Sequence, residues 1–280
     1  MAIKDILVHL DGSSQAMVRL DVAAELARRH NAHLAGLFII DLMAPAMLAG
    51  DGNGTYMVAE LLETMRQEAL AQAATVQARF QERLRRDGIA GEWRLVEGFA
   101  PGQVALQARY ADLLVAGQAD PEVSDAGEAI VEQAIFSSGR PVLVVPNAGR
   151  FGVVGRRVVV GWNASPQAAR ALHDALPLIE PTARVKVIAV NPQVDDGSHG
   201  EQPGADIARH LARHDLKVEV ERISSDEVTD GECLLNAVAD EAADLLVLGA
   251  FGHSRFREFI LGGVTRTMLQ EMTVPVLLAH

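Results

Sequence analysis

Short apolar runs rich in Val, Ile and Leu alternate along this chain with longer stretches in which apolar positions recur every three or four residues. The runs lie at about residues 3–10, 33–40, 93–97, 112–117 and 141–146, and again at 156–161, 184–190, 217–223, 244–249 and 275–279. Gly, Pro or Asp bounds them, as it bounds buried strands. Val58, Leu62, Met65, Ala69, Val76, Phe80 and Leu84 step by three, four or seven, which predicts a long amphipathic helix over about 57–87. Ser13 and Ser165 stand where helix N-caps are favoured, and Pro166 suits a first helical position. Strands alternating with helices predict a parallel sheet covered by helices on both faces.

The pattern occurs twice. Ile6-Leu7-Val8-His9-Leu10-Asp11-Gly12-Ser13 aligns with Val158-Val159-Val160-Gly161-Trp162-Asn163-Ala164-Ser165 at an offset of 152. Ala111-Asp112-Leu113-Leu114-Val115-Ala116-Gly117 aligns with Ala243-Asp244-Leu245-Leu246-Val247-Leu248-Gly249 at 132, and Pro141-Val142-Leu143-Val144-Val145 with Pro275-Val276-Leu277-Leu278-Ala279 at 134. An internal repeat of this kind decides the architecture before any local reading does. The chain divides into units 1–147 and 154–280, joined at Asn147-Ala148-Gly149-Arg150. Most of the extra length of the first copy falls in the long helix and in the stretch before it, Met43 to Thr55.

Composition narrows the class. The chain has 280 residues, 49% of them hydrophobic and only 4% aromatic, so its cores must be built from Ala, Val, Leu and Ile. The formal charge is −12. Up to Arg150 there are 13 bases and 19 acids, and after it 12 and 18, so each half carries −6. That charge disfavours a general nucleic-acid or anionic-membrane surface. No apolar run approaches the ~20 residues of a membrane span. The first apolar stretch is interrupted by Asp5 and has no leader layout, and a cytoplasmic location is expected. The single Cys233 excludes an internal disulfide and a Cys-based zinc cluster.

In an open parallel sheet, ligands bind beyond the carboxyl ends of the strands, where the strand order reverses. After the fourth strand of the second copy runs Gly249-Ala250-Phe251-Gly252, and later Gly262-Gly263-Val264-Thr265 opens a helix expected to reach about Glu271; the glycine spacing is G-x2-G-x9-G-G. Glycines let a backbone approach a phosphate, and a helix start supplies free N–H donors and the positive end of a dipole. There is no G-x4-G-K-[ST] and no G-x-G-x-x-G after a first strand, so neither a Walker loop nor the usual dinucleotide motif is present. The same glycines also serve as a loop turn and helix cap.

These tandem five-stranded copies, the start Ile6-Leu7-Val8-His9-Leu10-Asp11-Gly12-Ser13 and the glycine loop resemble the universal stress protein family over essentially the whole chain. The resemblance implies an α/β fold of two tandem open parallel five-stranded sheets, each ordered 3-2-1-4-5 with helices on both faces, of the adenine nucleotide alpha hydrolase-like kind. It implies a stress-response protein that binds ATP or a related adenine nucleotide, with or without Mg, and at most weak ATP hydrolysis. It further implies pairing of the two units through their last strands, with a homodimer left open. Carried over, Gly249 and Gly252 approach the ribose and phosphates, with His253 beside them. Gly262, Gly263, Val264 and Thr265 supply donors, Gly161, Trp162 and Asn163 face the nucleoside, and Val190 touches the base. Two departures stand out. The family motif ends in Gly-Ser or Gly-Thr where this chain has Gly262-Gly263, and the family has Asp at the position of Asn163.

The first copy differs. Asp120 replaces Gly252 and Glu128 replaces Gly262, and with Glu122 and Asp125 four carboxylates crowd the place of the phosphates. Carboxylates compete with a bound anion for a helix start, so nucleotide binding is expected in the second unit alone. His253, Arg255 and Arg257 could neutralise phosphate or form an ordinary solvated loop. Asp195, Asp196 and His199 read as a polar loop rather than a metal site. His30, His33, His210 and His214 read as surface residues, and Cys233 as a buried thiol. An interaction module with little or no nucleotide binding, or a slow ATPase using His253, are the competing readings.

Overall fold

The computed structural model describes residues 2–42, 55–119, 126–192, 202–250 and 262–280. The first half runs β1 (Asp5–His9), α1 (Ala16–His30), β2 (His33–Ile40), α2 (Thr55–Asp87), β3 (Gly91–Glu97), α3 (Ala100–Ala108), β4 (Leu113–Gly117), α4 (Ala126–Ser137) and β5 (Val142–Val145). The second runs β6 (Arg157–Gly161), α5 (Pro166–Ala175), β7 (Arg184–Val190), α6 (Ala205–Ala212), β8 (Lys217–Ile223), α7 (Asp230–Asp240), β9 (Leu245–Gly249), α8 (Gly263–Glu271) and β10 (Val276–Ala279). The ten strands fall on the ten apolar runs, and α2 covers the predicted long helix.

The strand order is β3-β2-β1-β4-β5-β10-β9-β6-β7-β8. Each half has the order 3-2-1-4-5 and all its internal pairs are parallel. The two five-stranded halves are joined edge to edge in one ten-stranded sheet. β5 and β10 join antiparallel, with Val144 opposite Val276, Leu143 opposite Leu277 and Val142 opposite Leu278. The reason is the edge chemistry. Both last strands are fully buried and apolar, and an uncovered edge of that kind leaves backbone donors and acceptors unpaired beside greasy side chains. Pairing the two satisfies both.

The sheet carries one core on each face. Leu20, Leu26, Phe80, Leu172 and Leu211, from α1, α2, α5 and α6, cover one side. Val104, Val131, Leu234 and Met268, from α3, α4, α7 and α8, cover the other. Side chains tie the halves together away from the strand seam. The Arg29 guanidinium donates to the carbonyls of Val154 (2.7 Å) and Leu178 (2.8 Å), and Arg170 donates to the Gly139 carbonyl (3.0 Å). Gln118 Nε2 donates to the Leu269 and Gln270 carbonyls at 3.0 Å each, while its Oε1 accepts the Asn147 N–H at 3.0 Å.

The repeated Ala-Asp-Leu-Leu-Val has a structural cause. Asp112 accepts the N–H groups of Lys4 and Asp5. Asp244 accepts those of Gly155 (2.7 Å), Arg156 (2.9 Å) and Arg157 (3.1 Å). Each carboxylate thereby fixes the entry of the neighbouring first strand of its half.

One cap expectation fails and one holds. Ser165 caps α5 by accepting the Ala168 N–H at 3.1 Å, with Pro166 opening the helix. Ser13 does not cap α1, whose N-cap is Gln15 with no side-chain hydrogen bond. The Ser13 hydroxyl donates instead to Asp11, and its N–H reaches the same oxygen at 2.9 Å.

Candidate functional site

Three adjacent parallel strands bring the candidate residues of the second half to one edge. Gly161 ends β6 opposite Ile188 of β7 and Leu248 of β9. Val190 therefore leaves the sheet on one side of β6 and Gly249 on the other. Beyond Gly161, the Trp162 N–H continues the ladder to the Ile188 carbonyl at 2.8 Å. Its half-buried ring packs against the core on the α5 side. Asn163 Oδ1 accepts the Ser165 N–H at 3.2 Å, the same bond that Asp11 makes to Ser13 in the first half. Ala164 between them has φ 56°, in the left-handed region. The amide at 163 thus holds the turn from which α5 starts.

The glycines divide into two kinds. A Cβ built on Gly249 would lie 2.3 Å from the Ala168 nitrogen, and one on Gly161 would lie 2.3 Å from Leu248 Cδ2. Close packing alone accounts for glycine at both positions. Gly262 and Gly263 are different: a Cβ on either meets no described heavy atom within 4 Å. Gly262 is the N-cap of α8 with φ −61° and ψ 152°, a backbone open to any residue, and Gly263 is helical. Among the described residues, neither packing nor backbone conformation requires these two glycines.

Among the described residues, no side chain caps the first turn of α8. The Gly262 carbonyl accepts the Arg266 N–H at 3.0 Å and starts the helical ladder. Gly263 is exposed and Val264 half-buried, while Thr265 is only 3% exposed. The threonine side chain is turned into the protein, so what the turn offers outward is backbone. By contrast α5 is capped by Ser165, and α7 carries a full capping box of Thr229 and Glu232. In the first half, Glu128 stands in the first turn of α4. Gly252, His253, Arg255, Arg257, Asp120, Glu122, Asp125, Asp195, Asp196, His199 and, of the Met43–Thr55 stretch, residues 43–54 lie outside the described residues.

The structure adds residues that the sequence did not single out. Asn191, directly after β7, has φ 44°. Its Nδ2 donates to the Ser225 carbonyl (3.1 Å) and to Asp230 Oδ1 (2.8 Å), and its Oδ1 accepts the Ser225 N–H at 3.0 Å. This knot ties the exits of β7 and β8 to the start of α7 beside Val190. Its one sequence signal is an Asn at a strand end, a residue that tolerates the left-handed region.

The corresponding edge of the first half holds a charge cluster in which Arg19 is buried and Asp11 half-exposed. Arg19 Nη2 lies 2.6 Å from Asp11 Oδ1 and 3.3 Å from Ser13 Oγ. Burial by itself would raise the Asp11 carboxyl, but the Arg19 guanidinium beside it holds it well below the ordinary carboxylate range. His9, at the end of β1, is lowered to about 4 by burial and by the same arginine. Cys233 is buried, and burial raises its thiol. His30 is half-buried with Nε2 lacking a partner, whereas His33 faces Asp5 at the surface and His210 stacks edge-on with His214. Among the described residues no three His, Cys, Asp or Glu come together to hold a metal ion, and no helix is long and apolar enough to cross a membrane.

Known proteins place this architecture. The model of the universal stress protein family matches residues 2–146 and again 155–280. A universal stress protein of Synechocystis is 24% identical over 98% of this chain and 99% of its own length. A solved universal stress protein of Archaeoglobus fulgidus superposes with a TM-score of 0.72 at 17% identity, covering 98% of this chain and 95% of that one. A solved Pseudomonas aeruginosa protein shares the fold with a TM-score of 0.59 at 13% identity, over 99% and 93% of the two chains. With the family matched twice in tandem over nearly its full length, the chain belongs to the universal stress protein family.

Proposed function

We propose that the chain is a cytoplasmic stress-response protein of two units, 1–147 and 154–280, that binds ATP or a related adenine nucleotide in the second unit only. The observation that carries this reading is the start of α8. An uncapped helix turn opens with two glycines that no described packing contact or backbone angle requires. Free N–H groups and a dipole end without a competing side chain make a phosphate cradle that needs no lysine. The nucleoside lies over Gly161, Trp162, Asn163 and Val190, and Gly252 and His253 extend the cradle. Mg accompanies the phosphates or is dispensable, and hydrolysis is weak at most.

Titration of ATP into the full chain by calorimetry tests it. One site per chain is expected, and Gly263→Asp lowers its affinity at least tenfold. An acid at a helix start supports the helix, so that variant retains its fold. No binding, or two equal sites, overturns the reading.

A second reading rests on α3. Phe99, Leu106 and Tyr110 are all exposed on or beside this helix, and their spacing places them along one stripe. That surface suits an interaction module in which nucleotide is incidental.

A further inference from the structure

The crevice of this fold opens between its first and fourth strands, because β1 and β4 are neighbours whose following helices lie on opposite faces of the sheet. In the first half that crevice is already filled. Arg19 reaches into it from α1 and is 5% exposed. Its Nη1 stands 2.2 Å from where a Gly117 Cβ would be, so the guanidinium lies against the open side of the last residue of β4. On the other wall Nη2 pairs with Asp11, two residues beyond the end of β1. Nε is buried without a partner among the described residues.

The second half has the same strands and, among the described residues, no such side chain. At the repeat offset, Ala171 stands for Arg19, Gly161 for His9 and Asn163 for Asp11. There Gly249 meets the backbone of α5 directly.

We propose that Arg19 is a built-in occupant of the first crevice, a cation held by Asp11 where the second half takes its ligand, and that this residue limits the chain to one adenine nucleotide. The inference rests on the reading of the second-half site. It is separate from the carboxylates of the first-half loop, which act on phosphates. Arg19 acts on the space the nucleoside needs. A nucleoside entering the first crevice must break the Arg19–Asp11 ion pair and displace an arginine side chain that is only 6% exposed.

Adenosine separates the two effects, because it carries no phosphate for carboxylates to repel. Native mass spectrometry and calorimetry on the full chain are expected to give one adenosine per wild-type chain. Arg19→Ala is expected to give two. Ala171→Arg combined with Asn163→Asp rebuilds the occupant in the second half and is expected to lower affinity there at least tenfold. The proposal is overturned if Arg19→Ala unfolds cooperatively like wild type yet still binds one adenosine. It is equally overturned if the rebuilt second half binds as tightly as before. Should the rebuilt variant not fold, Arg19→Ala decides alone. Wild type binding no adenine compound would sink the second-half site instead; the occupant would then stand if Arg19→Ala took up one adenosine and fall if it took up none.

Discussion

At the scale of single residues, the first-half cluster ties stability to pH. His9 has a folded value of about 4 against an ordinary 6.5, because burial and Arg19 both oppose its charge. Between those values the unfolded chain binds the extra proton, so stability falls as pH drops from 6.5 towards 4. The full effect is about 3 kcal/mol for one histidine. Asp11 adds a loss of the same sign at lower pH, as its depressed carboxyl is forced to protonate. A His9→Leu variant should show a melting temperature that declines less steeply over this range. An unchanged slope would remove His9 from the account. Asp244 makes a second case. It is the acceptor for three backbone N–H groups, and Asp244→Ala should cost about 2 kcal/mol in denaturant unfolding as those donors lose their partner. The sequence showed Ser13 and Asp244 as repeated letters, yet not what they bond. Arg19 was invisible, because an arginine in an amphipathic helix reads as surface until a glycine on a distant strand is placed against it.

At the scale of elements, the strands were legible to within about two residues, and the long helix and the helix after Gly262 were legible too, since buried runs and helical periodicity are local signals. Three things were not. The Ser13 cap fails because α1 begins only after Gln15 and the Ser13 Oγ accepts from the Arg19 guanidinium rather than from a helix N–H, which spacing does not reveal. The glycines could not be sorted, because Gly249 and Gly263 look alike until the approach of α5 is seen. Gly249→Ala should therefore destabilise the fold, since its Cβ falls on the Ala168 backbone, while Gly263→Ala leaves stability nearly unchanged; comparing their unfolding midpoints checks this. The third is the hold on α8. Gln118 of the first half donates to the carbonyls of Leu269 and Gln270 at that helix's C-terminal end. Its counterpart Ala250 has no side chain to return the contact. Gln118→Ala should cost about 1 kcal/mol and speed hydrogen exchange in the last turn of α8. Unaltered exchange there would show that the helix does not depend on the contact.

At the scale of the whole molecule, the continuous sheet predicts one cooperative unit. Trp93 lies in the first half and Trp162 in the second, each packed against the core. Single-tryptophan variants, Trp93→Phe and Trp162→Phe, should therefore report coincident thermal transitions. Separate midpoints would mean that the β5–β10 seam opens before either half unfolds. The seam itself was only half legible. Apolar last strands announced that they needed cover and that the two copies could supply it to each other, while nothing local told the antiparallel register that sets Leu143 opposite Leu277. Its consequence concerns inheritance. In an assembly of two identical copies, every substitution is made twice, and no residue can differ across the axis. Here, at the repeat offset, His9 corresponds to Gly161, Asp11 to Asn163 and Arg19 to Ala171. Three divergences at one edge of the sheet are open to a chain that carries both of its own halves, and closed to a symmetric pair.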